Sequence, residues 1–123
     1  IYLRPFEIAI KIAKPRTMMC SYNPVNGVYT SESNELINNV LRKKLGFDGY
    51  MISDWGAVRD RAKSLKAGID LAMPFNENFV NQLEKGINNG FINENDIDLS
   101  LSRLNTLNSK IKVSEILQVG IRL

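Results

Sequence analysis

The chain has 123 residues, 44% hydrophobic, 24% charged and 8% aromatic, with 16 Lys and Arg against 13 Asp and Glu for a net charge of +3. That much apolar material excludes wholesale disorder, and basic residues scattered apart from Arg42-Lys43-Lys44 argue against a nucleic-acid partner. Cys20 is the only cysteine and histidine is absent, so there is no internal disulfide, no imidazole base for a thiol nucleophile, and no commonest zinc ligand; no metal or cofactor is expected.

The chain opens without an initiator Met or a basic-then-apolar leader, in what reads as the middle of a helix. The expectation is a piece of a longer protein, its compartment left open with a slight lean to the cytoplasm. No apolar stretch approaches the roughly 18 residues that would cross a bilayer, so no membrane partner is expected.

From Tyr2 to Lys14, Phe6, Ala9, Ile10 and Ala13 recur at helical spacing, with Ile8 and Ile12 widening the stripe. Pro5 suits the first turn and Pro15 stops the helix. Thr17-Met18-Met19-Cys20 is too short for a helix and reads as a buried strand, with Cys20 an inert core thiol. Turn signals follow at Asn23-Pro24 and Asn26-Gly27. A second helix is expected from Asn34 to Leu45, its last-turn cations Arg42, Lys43 and Lys44 favoured by the helix dipole and Gly46 as its cap.

Tyr50-Met51-Ile52-Ser53 reads as a second buried strand, Val58 to Lys66 as a third helix ending at Gly68, and Ile69-Asp70-Leu71-Ala72-Met73 as a third strand stopped by Pro74. Arg59, Asp60 and Arg61 are expected on a solvated helix face. A fourth helix spans Phe79 to Asn89. Asn93 caps a fifth, with Ile97, Leu101, Leu104 and Ile111 in register. Such alternation predicts an α/β fold with a parallel sheet, but three parallel strands leave edges and faces uncovered. A (β/α)8 barrel needs about 250 residues, so these units amount to about three-eighths of one. Residues 113–123 carry no pattern.

In α/β proteins the working residues gather where strands end and loops begin. Asp54 stands there, directly after Tyr50-Met51-Ile52-Ser53. Trp55 beside it could pack on the C–H face of a pyranose, and Gly56 gives the backbone freedom to turn. From spacing alone Asp54 is either such a group or the cap of the next helix.

The stretch Gly46-Phe47-Asp48-Gly49-Tyr50-Met51-Ile52-Ser53-Asp54-Trp55-Gly56-Ala57-Val58 resembles the nucleophile segment of family 3 glycoside hydrolases of the β-glucosidase type. Upstream, Tyr2-Leu3-Arg4-Pro5-Phe6-Glu7 resembles a helix start usually written YLPPFE, with Arg4 replacing a proline. Met19-Cys20-Ser21-Tyr22-Asn23 with Val25-Asn26-Gly27 resembles the family's MCSYN-x-VNG strand and loop, and Ala67-Gly68-Ile69-Asp70-Leu71-Ala72-Met73-Pro74 its AGxDxxMP segment. Ile97-Asp98 and Arg103-Leu104 match the helix that closes the barrel domain.

The resemblance implies the C-terminal portion of a (β/α)8 TIM-like barrel, about three βα units plus a closing helix, over residues 1–112, with 113–123 as an unassigned tail. It implies a retaining hydrolase of terminal non-reducing β-D-glucosyl residues, with Asp54 as nucleophile and Met19, Tyr22 and Trp55 lining the sugar subsite. Asp70 receives a structural place by the same match. The family's Lys-His pair would lie on an earlier strand and its general acid/base on a later domain. The isolated chain is therefore expected to be inactive, with a β-glucoside or oligosaccharide and the rest of the enzyme as partners and with self-association through uncovered sheet edges. Alternatives are a β-xylosidase, an N-acetylhexosaminidase (whose nucleophile segment is of SDD rather than SDW type), and a non-catalytic carbohydrate-binding homologue.

Overall fold

The computed structural model describes residues 1–111; the tail 113–123 lies outside them. In chain order the elements are α1 (Arg4–Ala13), β1 (Thr17–Cys20), β2 (Pro24–Val25), β3 (Val28–Tyr29), a 3-10 turn (Thr30–Glu32), a π-helix (Glu35–Lys44), β4 (Tyr50–Ser53), α2 (Arg61–Ala67), α3 (Glu77–Asn88) and α4 (Glu94–Lys110). The α/β alternation is present as expected.

β1 and β4 pair in parallel with Thr17 opposite Tyr50 and Cys20 opposite Ser53. The expected third strand is reduced to one parallel bridge between Ile52 and Leu71. The cause lies at Asp70. Its Oδ2 accepts the Met51 N–H at 2.8 Å, taking a ladder position that a strand carbonyl would otherwise fill. The order β1, β4, Leu71 still makes sequence neighbours into spatial neighbours.

Alternation divides the sheet into two unlike faces. Cys20, Met51 and Ser53 point toward the helices and are buried. Met51 (1% exposed) and Ile69 (0%) join Ile10, Ile37, Phe47, Ala57 and Ala67 in the main core; full burial of side chains the size of Ile, Met or Phe stabilises by about 1.5–3 kcal/mol each. On the other face, Met19 and Leu71 remain exposed. A second cluster of Ala62, Leu65 and Ile92, flanked by Leu83 and Ile97, joins α2, α3 and α4.

Several local expectations change. α1 buries only Ile10, while Phe6, Ile8 and Ile12 of its apolar stripe remain exposed. The second helix is wound as a π-helix, with the Leu45 N–H reaching the Val40 carbonyl at 2.9 Å; periodicity over ten residues does not separate the two windings. The Asn26-Gly27 turn closes a two-stranded antiparallel hairpin, β2–β3. Both residues have positive φ, 51° and 81°, as a two-residue hairpin turn requires.

The solvated face expected for Arg59, Asp60 and Arg61 is corrected at Arg61, while Arg59 is exposed as expected. Arg61 turns inward, its guanidinium donating to the carbonyls of Ile69 (3.1 Å) and Asp70 (2.9 Å). Those carbonyls have no sheet partner on that side, and the cation supplies one. Burial pushes its pKa down. Asp60 caps α2 by accepting the Lys63 N–H at 3.0 Å, and Arg59 lies over the Tyr29 ring at 4.2 Å. At α4 the expected Asn93 cap is present as a full capping box with Asp96. Among the described residues, no helix is long and apolar enough to cross a membrane.

Candidate functional site

The site forms where β1 and β4 end. Asp54 follows β4 directly, and its peptide N–H donates to the Cys20 carbonyl at 3.2 Å, so the ladder continues one step past the strands. The preceding N–H, on Ser53, donates in the opposite direction to Leu71 at 2.9 Å. The backbone that presents Asp54 is therefore fixed from both sides. Beyond it the chain turns at Gly56, whose φ of 81° a side chain would strain, and the Gly56 N–H reaches the Met73 carbonyl at 2.7 Å.

The Asp54 carboxylate is half-buried and accepts the Trp55 N–H on Oδ1 at 2.6 Å. Tyr22, on the loop after β1, donates its hydroxyl to the Trp55 carbonyl. Loss of surrounding water pushes the Tyr22 phenol above its usual range, and the neighbouring Asp54 carboxylate pushes it further. Tyr22 and Trp55 are both more than half exposed, at 52% and 66%, so an aromatic surface with polar edges opens around the carboxylate.

Met19 sits opposite Ile52 in the register, and Ile52 shares the face of Asp54 two residues on. Met19 and Asp54 thus share one face of the sheet, and Tyr22 and Trp55 lie on the loops at the same end. Cys20, directly behind, is buried; burial raises its thiol pKa, which leaves it a poor nucleophile. A cavity of about 500 Å³ lies between α1, β1 and the π-helix, with Phe6, Met18, Met19 and Leu41 in its walls.

The loop bearing Tyr22 is held against the loop bearing Asp54 at further points. Ser31, fully buried, donates to the Ala57 carbonyl at 3.1 Å, and Glu32 accepts the Asp60 N–H at 3.3 Å. Sequence reasoning missed these two residues, since a Ser or Glu in a polar loop carries no local sign of a partner 26 or 28 positions away.

Asp70 takes the structural place expected of it. Besides Met51, its carboxylate meets Arg103 of α4 at 2.7 Å and Arg42 of the π-helix at 3.2 Å. Arg42 also donates to the carbonyls of Gly49 (2.9 Å) and Gly68 (3.3 Å). Its pKa is lowered to about 10, chiefly by burial and next by Arg103, with Asp70 opposing both.

The family profile described as "Glycosyl hydrolase family 3 N terminal domain" matches residues 1–107. The chain belongs to this family. It is 39% identical to thermostable β-glucosidase B of Acetivibrio thermocellus over 105 residues, 85% of this chain and 14% of that protein. It is 51% identical over 74 residues to an exo-α-(1→6)-L-arabinopyranosidase of Bifidobacterium longum, 60% of this chain and 10% of that one. Among solved structures, β-glucosidase 3B of Thermotoga neapolitana in complex with glycerol matches with a TM-score of 0.77 at 35% identity, over 82% of this chain and 15% of its own. The β-glucosidase of Kluyveromyces marxianus in complex with glucose matches at 0.79 and 30%, over 85% and 13%. The chain therefore spans a small part of the family 3 proteins it resembles.

Proposed function

We propose that this chain is the nucleophile-bearing part of a retaining family 3 glycoside hydrolase of the β-glucosidase type, and that Asp54 is the nucleophile. The observation that carries this reading is the setting of Asp54 at the end of β4. Its backbone is tied to Cys20 on one side, its carboxylate accepts the Trp55 peptide N–H, and the Tyr22 hydroxyl reaches the Trp55 carbonyl beside it. A carboxylate held this way can attack the anomeric carbon of a terminal β-D-glucosyl residue and form a glycosyl ester that water later cleaves. Trp55 would pack on the sugar's C–H face, the Tyr22 hydroxyl would contact the nucleophile or the ring oxygen, and Met19 would line the pocket wall.

In this reading β1, β4 and the Ile69–Met73 run are neighbouring strands in the C-terminal portion of a (β/α)8 barrel, and α4 is its closing helix. The proton for the departing aglycone comes from a general acid/base elsewhere in the longer polypeptide, so these 123 residues alone do not turn over substrate. The 51% identity to an arabinopyranosidase favours a second reading, in which the same nucleophile serves a pentopyranoside. A panel of aryl glucosides, xylosides and arabinopyranosides separates the two.

Incubation of the whole enzyme with 2,4-dinitrophenyl 2-deoxy-2-fluoro-β-D-glucoside, followed by digestion and mass spectrometry, tests the proposal. The expected result is a glycosyl ester on the peptide containing Asp54. A label on another carboxylate overturns it.

A further inference from the structure

Ser53 immediately precedes Asp54, is fully buried, and lies on the helix-facing side of β4 rather than in the site. Its hydroxyl is engaged twice by one partner. Oγ accepts the Met73 N–H at 2.8 Å and donates back to the Met73 carbonyl at 3.2 Å. That same carbonyl accepts the Gly56 N–H at 2.7 Å. Met73 thus closes the turn Asp54-Trp55-Gly56 at both of its ends, once through a side chain and once through the backbone.

The other side-chain ties act before this point or on the loop beyond it. Asp70 bonds Met51, and Ser31 bonds Ala57. The Ser53 hydroxyl bond comes from the residue directly before Asp54, and it crosses to a neighbouring segment whose ladder has shrunk to one bridge at Leu71. Where the backbone ladder is this short, a side-chain bond takes over the task of setting the height and tilt of the turn. From this we infer that Ser53 is a positioning residue for the nucleophile, fixing the direction of the Asp54 carboxylate by locking the turn onto Met73. The inference rests on the assignment of Asp54 as nucleophile.

Ser53→Ala removes one oxygen and leaves Met73 joined to the turn through the Gly56 N–H alone. A displacement approaching 1 Å at a reacting atom costs up to about 100-fold in rate. In the whole enzyme, the pre-steady-state glycosylation rate on an aryl β-glucoside should fall roughly tenfold to a hundredfold, with KM within about twofold of the parent value. Ser53→Thr, which keeps the hydroxyl, should recover most of the lost rate. Ser64→Ala serves as the control for plain loss of a buried serine. Ser64 is equally buried in α2, where its hydroxyl donates to the Arg61 carbonyl at 3.1 Å, and its loss should lower the melting temperature without lowering the glycosylation rate.

Amide exchange gives a readout independent of turnover. In Ser53→Ala the Asp54 and Gly56 amides should exchange at least tenfold faster, while the Met19 amide on β1 stays unchanged. Rates within twofold of the parent in Ser53→Ala overturn the inference, as does a Thr variant as slow as Ala, or a Ser64→Ala variant with an equal loss of rate. If the parent shows no glycosidase activity, the functional assignment fails. The exchange pattern then decides alone, and unchanged Asp54 and Gly56 amides reject the clamp.

Discussion

The carboxylate of Asp70 accepts the backbone N–H of Met51 at 2.8 Å, three residues before Asp54. With Arg42 and Arg103 paired to the same carboxylate, one side chain joins β4 to the π-helix and to α4. The Asp70 side chain is 0% exposed and the two arginines 13% and 17%, so the pairing takes place almost without water.

Asp70→Ala should therefore be severely destabilising, because it strands two largely buried cations and a strand N–H together. Removal of one partner from a buried pair costs about 3–5 kcal/mol. Asp70→Asn, which can still accept from Met51 but carries no charge, should lose less. Urea unfolding of the whole enzyme measures both, and equal stability of the Ala variant and the parent would contradict the hub.

Asp54→Asn keeps the shape of the proposed nucleophile and removes the charge that attacks. Glycosylation should drop by several orders of magnitude while the circular dichroism spectrum and melting temperature stay near those of the parent. Near-normal turnover by this variant would reject the assignment.

Tyr22→Phe removes the hydroxyl that reaches the Trp55 carbonyl and borders Asp54. A net loss of about 1 kcal/mol for one such bond corresponds to roughly a fivefold decrease in kcat/KM. Steady-state kinetics on an aryl glucoside checks this, and the decrease should persist at pH values well below the phenol's titration.

The purified chain on its own should not hydrolyse aryl glucosides and should self-associate. Phe6, Ile8 and Ile12 of α1 are exposed, as are Met19 and Leu71 on the open face of the sheet. Together they leave an apolar surface of the kind that draws proteins together. Sedimentation should show species larger than the monomer; a cooperatively melting monomer, or robust turnover, would run against the barrel-segment reading.

Glu7 gives a pH-dependent prediction. The Lys11 hydrogen bond first, then that of Arg4, lower its pKa from 4.5 to about 2. The group's folded-state pKa lies below the unfolded one, so its contribution to α1 is complete above about pH 4.5 and lost as pH falls toward 2. A carboxyl carbon titration by NMR should place its midpoint near 2, and Lys11→Ala should raise it.

What the sequence disclosed and what it withheld separate along one physical line. The strands Thr17–Cys20 and Tyr50–Ser53, the Asn93 cap and the placing of Asp54 at a strand end are recorded in neighbouring residues, through apolar runs and turn chemistry. The inward turns of Arg42 and Arg61 are not, because a cation in a helix's last or first turn looks solvated until the carbonyls and carboxylate it meets are known. The shortened third strand was hidden for the same reason. Ile69 to Met73 is as apolar as a strand should be, and only the fold reveals that the Asp70 side chain occupies a ladder position. The β2–β3 hairpin was half visible: Asn26-Gly27 announced the turn, but pairs of two residues are too brief to register as strands.

That hairpin has a consequence for how such a site can diversify. Its base is fastened on one flank by Tyr22 to Trp55 and on the other by Ser31 to Ala57. Its tip projects away, and an added Cβ at Gly27 would meet no atom within 4 Å. Residues inserted between Val25 and Val28 would lengthen a finger into solvent while both footings stay put, at an entropic cost that grows only slowly with loop length. The end of the sheet that bears Asp54 is thereby insulated from the part of the loop most free to vary, so changes at the fingertip would leave the carboxylate behind it undisturbed.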